Sequence, residues 1–235
     1  AMARLVGGLG AALDPFGGAA DLAARRLRVL HPGSFRDDPT RLFRAARYGG
    51  RLRLAPDPAT ARLIRESVGR GDLARLSRER IRQELWRILE ERDPLPALRL
   101  CARWGLSPAF HARFRAPAGL ARAKDPLTRF GLCALALGAD ADAFVKSLPL
   151  PREDSSALSA ALKADRARAT PAQPLPEAAV RILRGARPRL GRAALAARLV
   201  TGGALLEVGL KAGPGLAAVV EEAARAQWAG RLGGA

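Results

Sequence analysis

From Asp37 to the C-terminus apolar residues recur every three to four positions, and proline and glycine cut this pattern into helix-length pieces. A helix opening at Asp37 or Asp38 carries Pro39 in its first turn and turns Leu42, Phe43, Ala46 and Leu52 to one side. It is expected to end at Gly49-Gly50. Asp57-Pro58 opens the next, with Leu63 and Ile64 inward. Ser77 caps a third, whose stripe of Ile81, Leu85, Trp86, Ile88 and Leu89 is a strong 3.6-residue face. Arg80 stands where a capping box would have Glu. Pro94 begins a fourth helix, running through Trp104 and stopped by Gly105. Further helices are expected at about 126–137, 141–148, 154–168, 176–185, 190–201 and 214–229.

The opening of the chain follows a different pattern. Residues 1–6 and 11–13, around Gly7-Gly8-Leu9-Gly10, read as a β-hairpin. Asp14-Pro15-Phe16-Gly17-Gly18 reads as a turn, residues 19–25 as a short helix, and Leu27-Arg28-Val29-Leu30 as a strand. The expectation is a mainly α protein behind a short β-containing piece. A Pro- and Ala-rich link at 169–176 is the main expected seam, with a softer one at 115–125. No fixed-period repeat suggests a solenoid.

Charge changes the picture. Lys+Arg number 40 against 22 Asp+Glu, a formal net charge of +18 over 235 residues. An Arg- and Ala-rich composition explains arginine standing in for lysine but not the excess of positive charge. Such a balance calls for a polyanionic partner, here a nucleic acid. Cys101 and Cys133 lie in apolar surroundings without CxxC spacing and read as reduced, buried thiols. His31 and His111 belong to no metal-ligand pattern, and no metal site is assigned. Residues 195–210 come nearest to a membrane span, but Arg198 and Glu207 interrupt them. With no signal peptide pattern either, a cytoplasmic protein is expected. Aromatics make up 5% of the chain, which argues against stacking of the kind single-strand binders use.

Asp38 and Arg41 stand three apart, and Arg44 and Arg47 continue the spacing. Residues three apart share a helix face, so a carboxylate acceptor would stand beside a guanidinium donor. Cytosine presents an amino donor (N4) beside a ring acceptor (N3), and adenine presents N6 beside N1. Uracil and guanine present the reverse order. One Asp–Arg pair can therefore accept C and A and refuse U and G. Taken alone, the stretch also reads as a helix start with capping carboxylates and a solvated basic face. In the second half, Arg181, Arg184, Arg187, Arg189 and Arg192 cluster around Pro188 and read either as an RNA-backbone surface or as a solvated face. Gly213-Pro214-Gly215 opens a helix whose free N–H groups could hold a phosphate or simply start the helix.

Three segments, in order, resemble a known family. LDPFGGAADLAARRLRVL (13–30) looks like the last strand-turn-helix unit of the catalytic head of class II tRNA nucleotidyltransferases (CCA-adding enzymes) and their bacterial poly(A) polymerase relatives. SFRDDPTRLFRAARY (34–48) looks like their Glu-Asp-x-x-Arg nucleotide-template motif, and LSRERIRQELWRIL (76–89) like the following neck helix. The tail from 202 to 232 is similar to the family's C-terminal Gly-Pro segment. The resemblance implies a head remnant at 1–33, a neck at 34–114, a helical body at 115–172 and a tRNA-binding tail at 173–235.

It also implies that Asp38 and Arg41 template the incoming base, with Asp37 where the family usually has Glu. Arg44 would steady that face or reach the nucleotide. Arg78 and Arg80 would lie near the triphosphate, unless they pair with Glu79 and Glu84. The substrates implied are CTP, ATP and the tRNA acceptor arm. Mg²⁺ would be bound by an Asp-x-Asp pair in the head, and no catalytic residue is assigned to this chain. Ala1-Met2-Ala3 looks like the end of the family's RRDFTINAMA motif, so the Mg²⁺ ligands are expected upstream and these residues alone are expected to be inactive. The competing expectations are a poly(A) polymerase and a non-catalytic helical RNA-binding module.

Overall fold

The computed structural model describes residues 14–190 and 192–232; the expected hairpin at 1–13 lies outside them. The chain divides into two compact units, one ending at Ala116 and the other starting at Pro117. The division falls within the softer seam, at 115–125. The 169–176 link runs inside the second unit, where the Thr170 amide donates to the Ala224 carbonyl at 3.1 Å.

In the first unit α1 spans Gly18–Ala23, β1 Arg26–Leu27, α2 Ser34–Asp37, α3 Thr40–Leu52, β2 Ala55–Pro56, α4 Pro58–Gly69, α5 Arg78–Leu89 and α6 Leu95–Arg103. The mainly helical class is as expected. Helix α3 starts behind Pro39, which gives it no side-chain cap, while the caps of α4 and α5 form as expected. Asp57 accepts the Thr60 amide at 2.7 Å ahead of Pro58, and Ser77 accepts the Arg80 amide at 3.3 Å. The expected strand at 27–30 is shorter, two residues paired in parallel with Ala55–Pro56. No strand signal marked that partner, because a two-residue strand is too short for an alternating pattern.

Helix α3 corrects a second expectation. It runs through Gly49 and Gly50 and ends at Arg53, which takes the left-handed conformation with φ 56°. The glycines serve packing. A Cβ on Gly50 would lie 2.5 Å from the Ala97 backbone nitrogen, and one on Gly49 would lie 3.0 Å from Leu100 Cδ1. Helices α3 and α6 therefore touch nearly backbone to backbone. Around that contact Leu42, Phe43, Ala46, Leu85, Ile88, Leu89 and Cys101 are fully buried. Phe43 stacks on Phe110 with ring centroids 5.1 Å apart.

A buried polar corner closes this unit. The Asp72 carboxylate accepts from Ser67 Oγ and Arg70 Nη2, each at 2.7 Å. The Arg70 guanidinium holds the Asp72 carboxyl below its usual range, against the effect of burial and with the help of Ser67. A depressed folded-state value stabilises the protein above the unfolded carboxylate pKa, and this contribution disappears as pH falls through the folded value. The difference in urea midpoint between wild type and Asp72→Asn is therefore expected to shrink as pH is lowered from 7 to about 3.

The second unit holds α7 Pro126–Ala136, α8 Ala141–Ser147, α9 Arg152–Ala167, α10 Glu177–Ala186, α11 Arg192–Leu195, α12 Gly202–Glu207 and α13 Pro214–Trp228. Phe130 and Phe144 stack at 4.9 Å in its core, and α7 and α10 meet where Gly131 faces Ile182. The helix expected at 190–201 is cut short. Only Arg192–Leu195 is helical there, and Thr201 starts a new helix by accepting the Ala204 amide at 3.2 Å. The buried amide of Gln227 explains the break, because it bonds the Ala197 carbonyl and the Leu199 amide and satisfies that backbone without a helix. Cys101 and Cys133 are both buried, and burial pushes both thiols up, that of Cys133 to about 12. Among the described residues no helix is long and apolar enough to cross a membrane.

Candidate nucleotide and RNA interface

Asp38 stands between α2 and α3 in extended conformation, φ −145° and ψ 99°, just ahead of Pro39. Its Oδ1 atom takes three bonds, from Thr40 N at 3.1 Å, Thr40 Oγ1 at 2.7 Å and Arg80 Nη2 at 2.8 Å. Partial burial raises its pKa, but Thr40 and then Arg80 outweigh this and hold the carboxyl below its usual value. Asp38 is thus a fixed anion. Its second oxygen, Oδ2, takes no partner among the described residues.

Arg41, one turn on, donates its backbone amide to the Asp38 carbonyl at 3.1 Å, but its side chain does not bond the Asp38 carboxylate. Its Nη1 donates to Ser34 O at 3.2 Å and Ser34 Oγ at 3.1 Å, which ties α3 back to α2. Its Nη2 and Nε take no partner among the described residues. The two side chains are oriented by different neighbours and each keeps one functional edge free.

The remaining candidates separate. Asp37 ends α2 and meets His31 at 3.6 Å, an exposed pair. Arg44 is exposed; the Tyr48 ring one turn on lies under the Arg47 guanidinium at 4.7 Å and the Arg51 guanidinium at 5.0 Å. Both of those arginines reach Glu91 Oε1, at 3.3 and 3.6 Å. Arg78 donates to the Ala109 and Phe110 carbonyls at 2.8 and 3.1 Å, so it fastens the end of the unit to α5. Arg80 pairs with Asp38 rather than with a neighbouring glutamate. Glu79 is taken by Arg82 and Gln83, and Glu84 by Arg87. The Arg80–Asp38 link spans 42 residues, beyond any local spacing rule.

In the second unit Arg181 pairs with Glu177 at 2.8 Å, and Arg187 grips Asp165 with two bonds at 2.8 and 3.1 Å. Arg184 and Arg189 are exposed and take no partner among the described residues. The side chain of Arg192 lies outside the description. Gly213 and Gly215 are exposed at the start of α13, with nothing within 4 Å of where a Cβ would stand.

The described residues do not fit a Mg²⁺ ion. Both Asp14 oxygens cap α1, accepting Gly18 N at 2.6 Å and Ala19 N at 2.7 Å. Asp21 is divided between Arg26 and Arg28, each at 2.8 Å. No group of three or more His, Cys, Asp or Glu converges among the described residues.

Asp38 and Arg41 thus present an acceptor and a donor whose outer edges take no partner among the described residues, on a helical frame in a strongly basic chain. Residues 53–111 match a family model described as "Probable RNA and SrmB-binding site of polymerase A". The chain is 40% identical over 104 residues to the A-adding tRNA nucleotidyltransferase of Geobacter sulfurreducens, covering 44% of this chain and 12% of that protein. It is 38% identical over 121 residues to the multifunctional CCA protein of Neisseria meningitidis serogroup C, covering 50% and 28%. Its fold is similar to that of a CCA-adding enzyme in complex with ATP, with TM-score 0.60 and 23% identity over 92% of this chain and 62% of that one. The Thermotoga maritima CCA-adding enzyme complexed with tRNA aligns with TM-score 0.55 and 20% identity over 95% and 65%. The chain thus spans between an eighth and a third of those curated relatives and just under two thirds of those solved chains. Together these findings show a chain that is similar, over about half its length, to tRNA nucleotidyltransferases and that shares the fold of CCA-adding enzymes.

Proposed function

We propose that this chain is the nucleotide-selecting and tRNA-binding part of a cytoplasmic, template-independent nucleotidyltransferase that adds C, A or both to tRNA 3′ ends from CTP and ATP. One observation carries the reading: Asp38 Oδ2 and the Arg41 guanidinium edge are free while the rest of each group is anchored. Asp38 Oδ2 accepts the exocyclic amine of cytosine or adenine, and Arg41 donates to the adjacent ring nitrogen. Uracil would set its O4 against the carboxylate and its N3–H against the guanidinium, and guanine would do the same with O6 and N1–H. Buried acceptors facing acceptors lose the bond and keep the desolvation cost, so rejection exceeds what the favourable bond contributes. Arg44, three residues after Arg41 on α3, forms the next turn of that wall.

In this reading Mg²⁺ would supply charge stabilisation for the transfer, and none of the described carboxylates would hold it. The chain's own residues bind and orient; Asp38 needs no proton transfer, being ionised throughout the neutral range. The excess of arginine serves the RNA backbone, where phosphates position the substrate without reading sequence.

The RNA half of this reading is tested by a filter-binding salt series with transfer RNA. Affinity is expected to fall steeply between 50 and 200 mM salt, with a log–log slope of several units. A flat series would remove the phosphate-reading surface. A preference for poly(A) over tRNA at equal salt would favour the poly(A) polymerase reading.

A further inference from the structure

At the far end of the second unit, the turn after α10 and the end of α13 enclose a cleft of about 510 Å³. This lies within the ~300–1,000 Å³ range of small-ligand clefts. Its walls are Arg187, Pro188, Arg189 and Leu190 on one side and Trp228 with Gly230 on the other. Both walls are fixed. Arg187 is bound at two points to Asp165 on α9, so its charge is neutralised and its turn is held. The residue before Trp228, Gln227, is 1% exposed and bonds the 197–199 segment from both ends of its amide. Beyond Trp228 the chain turns back at Gly230, φ 73°, whose amide donates to the Gln227 carbonyl at 3.0 Å.

Trp228 is therefore a half-buried indole on a rigid base, facing a proline and an aliphatic side chain across a cleft. At the lip Arg189 is exposed and unpaired among the described residues. The stretch 181–192 around it holds five arginines and no carboxylate. An aromatic plane and a cation lining one cleft are what an unpaired nucleotide needs: a π-face for the base and a charge for its phosphate. No side-chain amide or carboxylate lines the cleft, so a base bound there would be held by its face and not read by its edge.

We propose that this cleft binds one unpaired, extruded nucleobase of an RNA, stacked on Trp228, with its phosphate on Arg189. The proposal rests on the RNA-binding reading above and adds to it a contact that a duplex cannot make, since duplex bases are already stacked. It places on one tryptophan the stacking that the low aromatic content argued against.

The test compares filter binding of the 235-residue chain to unfractionated tRNA and to a loop-free RNA duplex of similar length. Trp228→Ala is expected to weaken tRNA binding about tenfold and to leave duplex binding within about twofold, while Trp228→Phe keeps most of the tRNA affinity. Arg189→Ala is expected to lower the tRNA salt slope by about one. Unchanged tRNA affinity in Trp228→Ala overturns the proposal, and so does an equal loss on both RNAs, which marks a packing role. Should Trp228→Ala not fold, Arg189→Ala decides, and an unchanged slope counts against the cleft. If the unaltered chain bound neither RNA, the RNA-binding reading itself would fall. Tight duplex binding with a silent Trp228→Ala would remove the cleft alone.

Discussion

Under the proposed function, replacing Asp38 by alanine is expected to collapse discrimination between CTP or ATP and UTP or GTP. In the proposed pocket the wild-type preference would have two parts. Asp38 Oδ2 would accept an exocyclic amine, a charge-assisted bond worth about 1.5–3 kcal/mol, and would repel a carbonyl placed at the same point. Removing the carboxylate removes both, so kcat/KM for the right bases drops while that for the wrong ones does not. The ratio is expected to fall by roughly 10- to 100-fold. Arg41→Ala removes the other half of the pattern and is expected to have an effect of similar size. Arg80→Ala is the informative control. It deletes the 2.8 Å bond that helps orient Asp38 but leaves Oδ2 and the two Thr40 bonds in place. A smaller loss of selectivity is expected there, and steady-state kinetics with each triphosphate separate the three cases.

The largest effect on stability is expected at Gly50. A methyl group there would lie 2.5 Å from the Ala97 nitrogen and 2.8 Å from its Cα, atoms that no rotamer change can move aside. Helices α3 and α6 would have to separate, opening the packed layer of Leu42, Phe43, Ala46 and Leu98. Overpacking against side chains costs about 1–3 kcal/mol, and against backbone the upper end or more is expected. Gly69 supplies the opposite sign. It ends α4 with nothing within 4 Å of a Cβ, so Gly69→Ala is expected to raise stability by a few tenths to about 1 kcal/mol. Urea midpoints of the two variants beside wild type read this difference directly. Equal midpoints for both variants would mean that α3 and α6 do not meet at Gly50.

Gly50 also shows where the sequence was legible and where it was not. The apolar stripe of α3 was readable because burial follows the 3.6-residue period, and Leu42, Phe43 and Ala46 are all at 0% exposure. The Gly49-Gly50 pair reads equally well as a stop or as a close-packing seat, and only the position of α6 decides between them. The break at 196–201 was hidden for a similar reason, since it depends on Gln227 about thirty residues away. At the candidate site residue types were legible and partners were not. Spacing put Asp38 beside Arg41, but each is anchored elsewhere, Asp38 by Thr40 and Arg80 and Arg41 by Ser34. Arg78 looked equally available to a triphosphate, and nothing local indicated that it would fasten the 109–110 backbone.

In the proposed function two side chains select a base by its donor and acceptor order. A cycle of triphosphate analogues and variants tests it most directly. One analogue is CTP lacking the N4 amino group, and the other is CTP with carbon in place of N3. Wild type is expected to penalise both, by about tenfold or more in kcat/KM. Asp38→Ala should lose the penalty for the missing amine and keep the penalty at N3, and Arg41→Ala should do the reverse. Penalties that stay the same in all three proteins would contradict the account, and the pair would then be a structural joint between α2, α3 and α5.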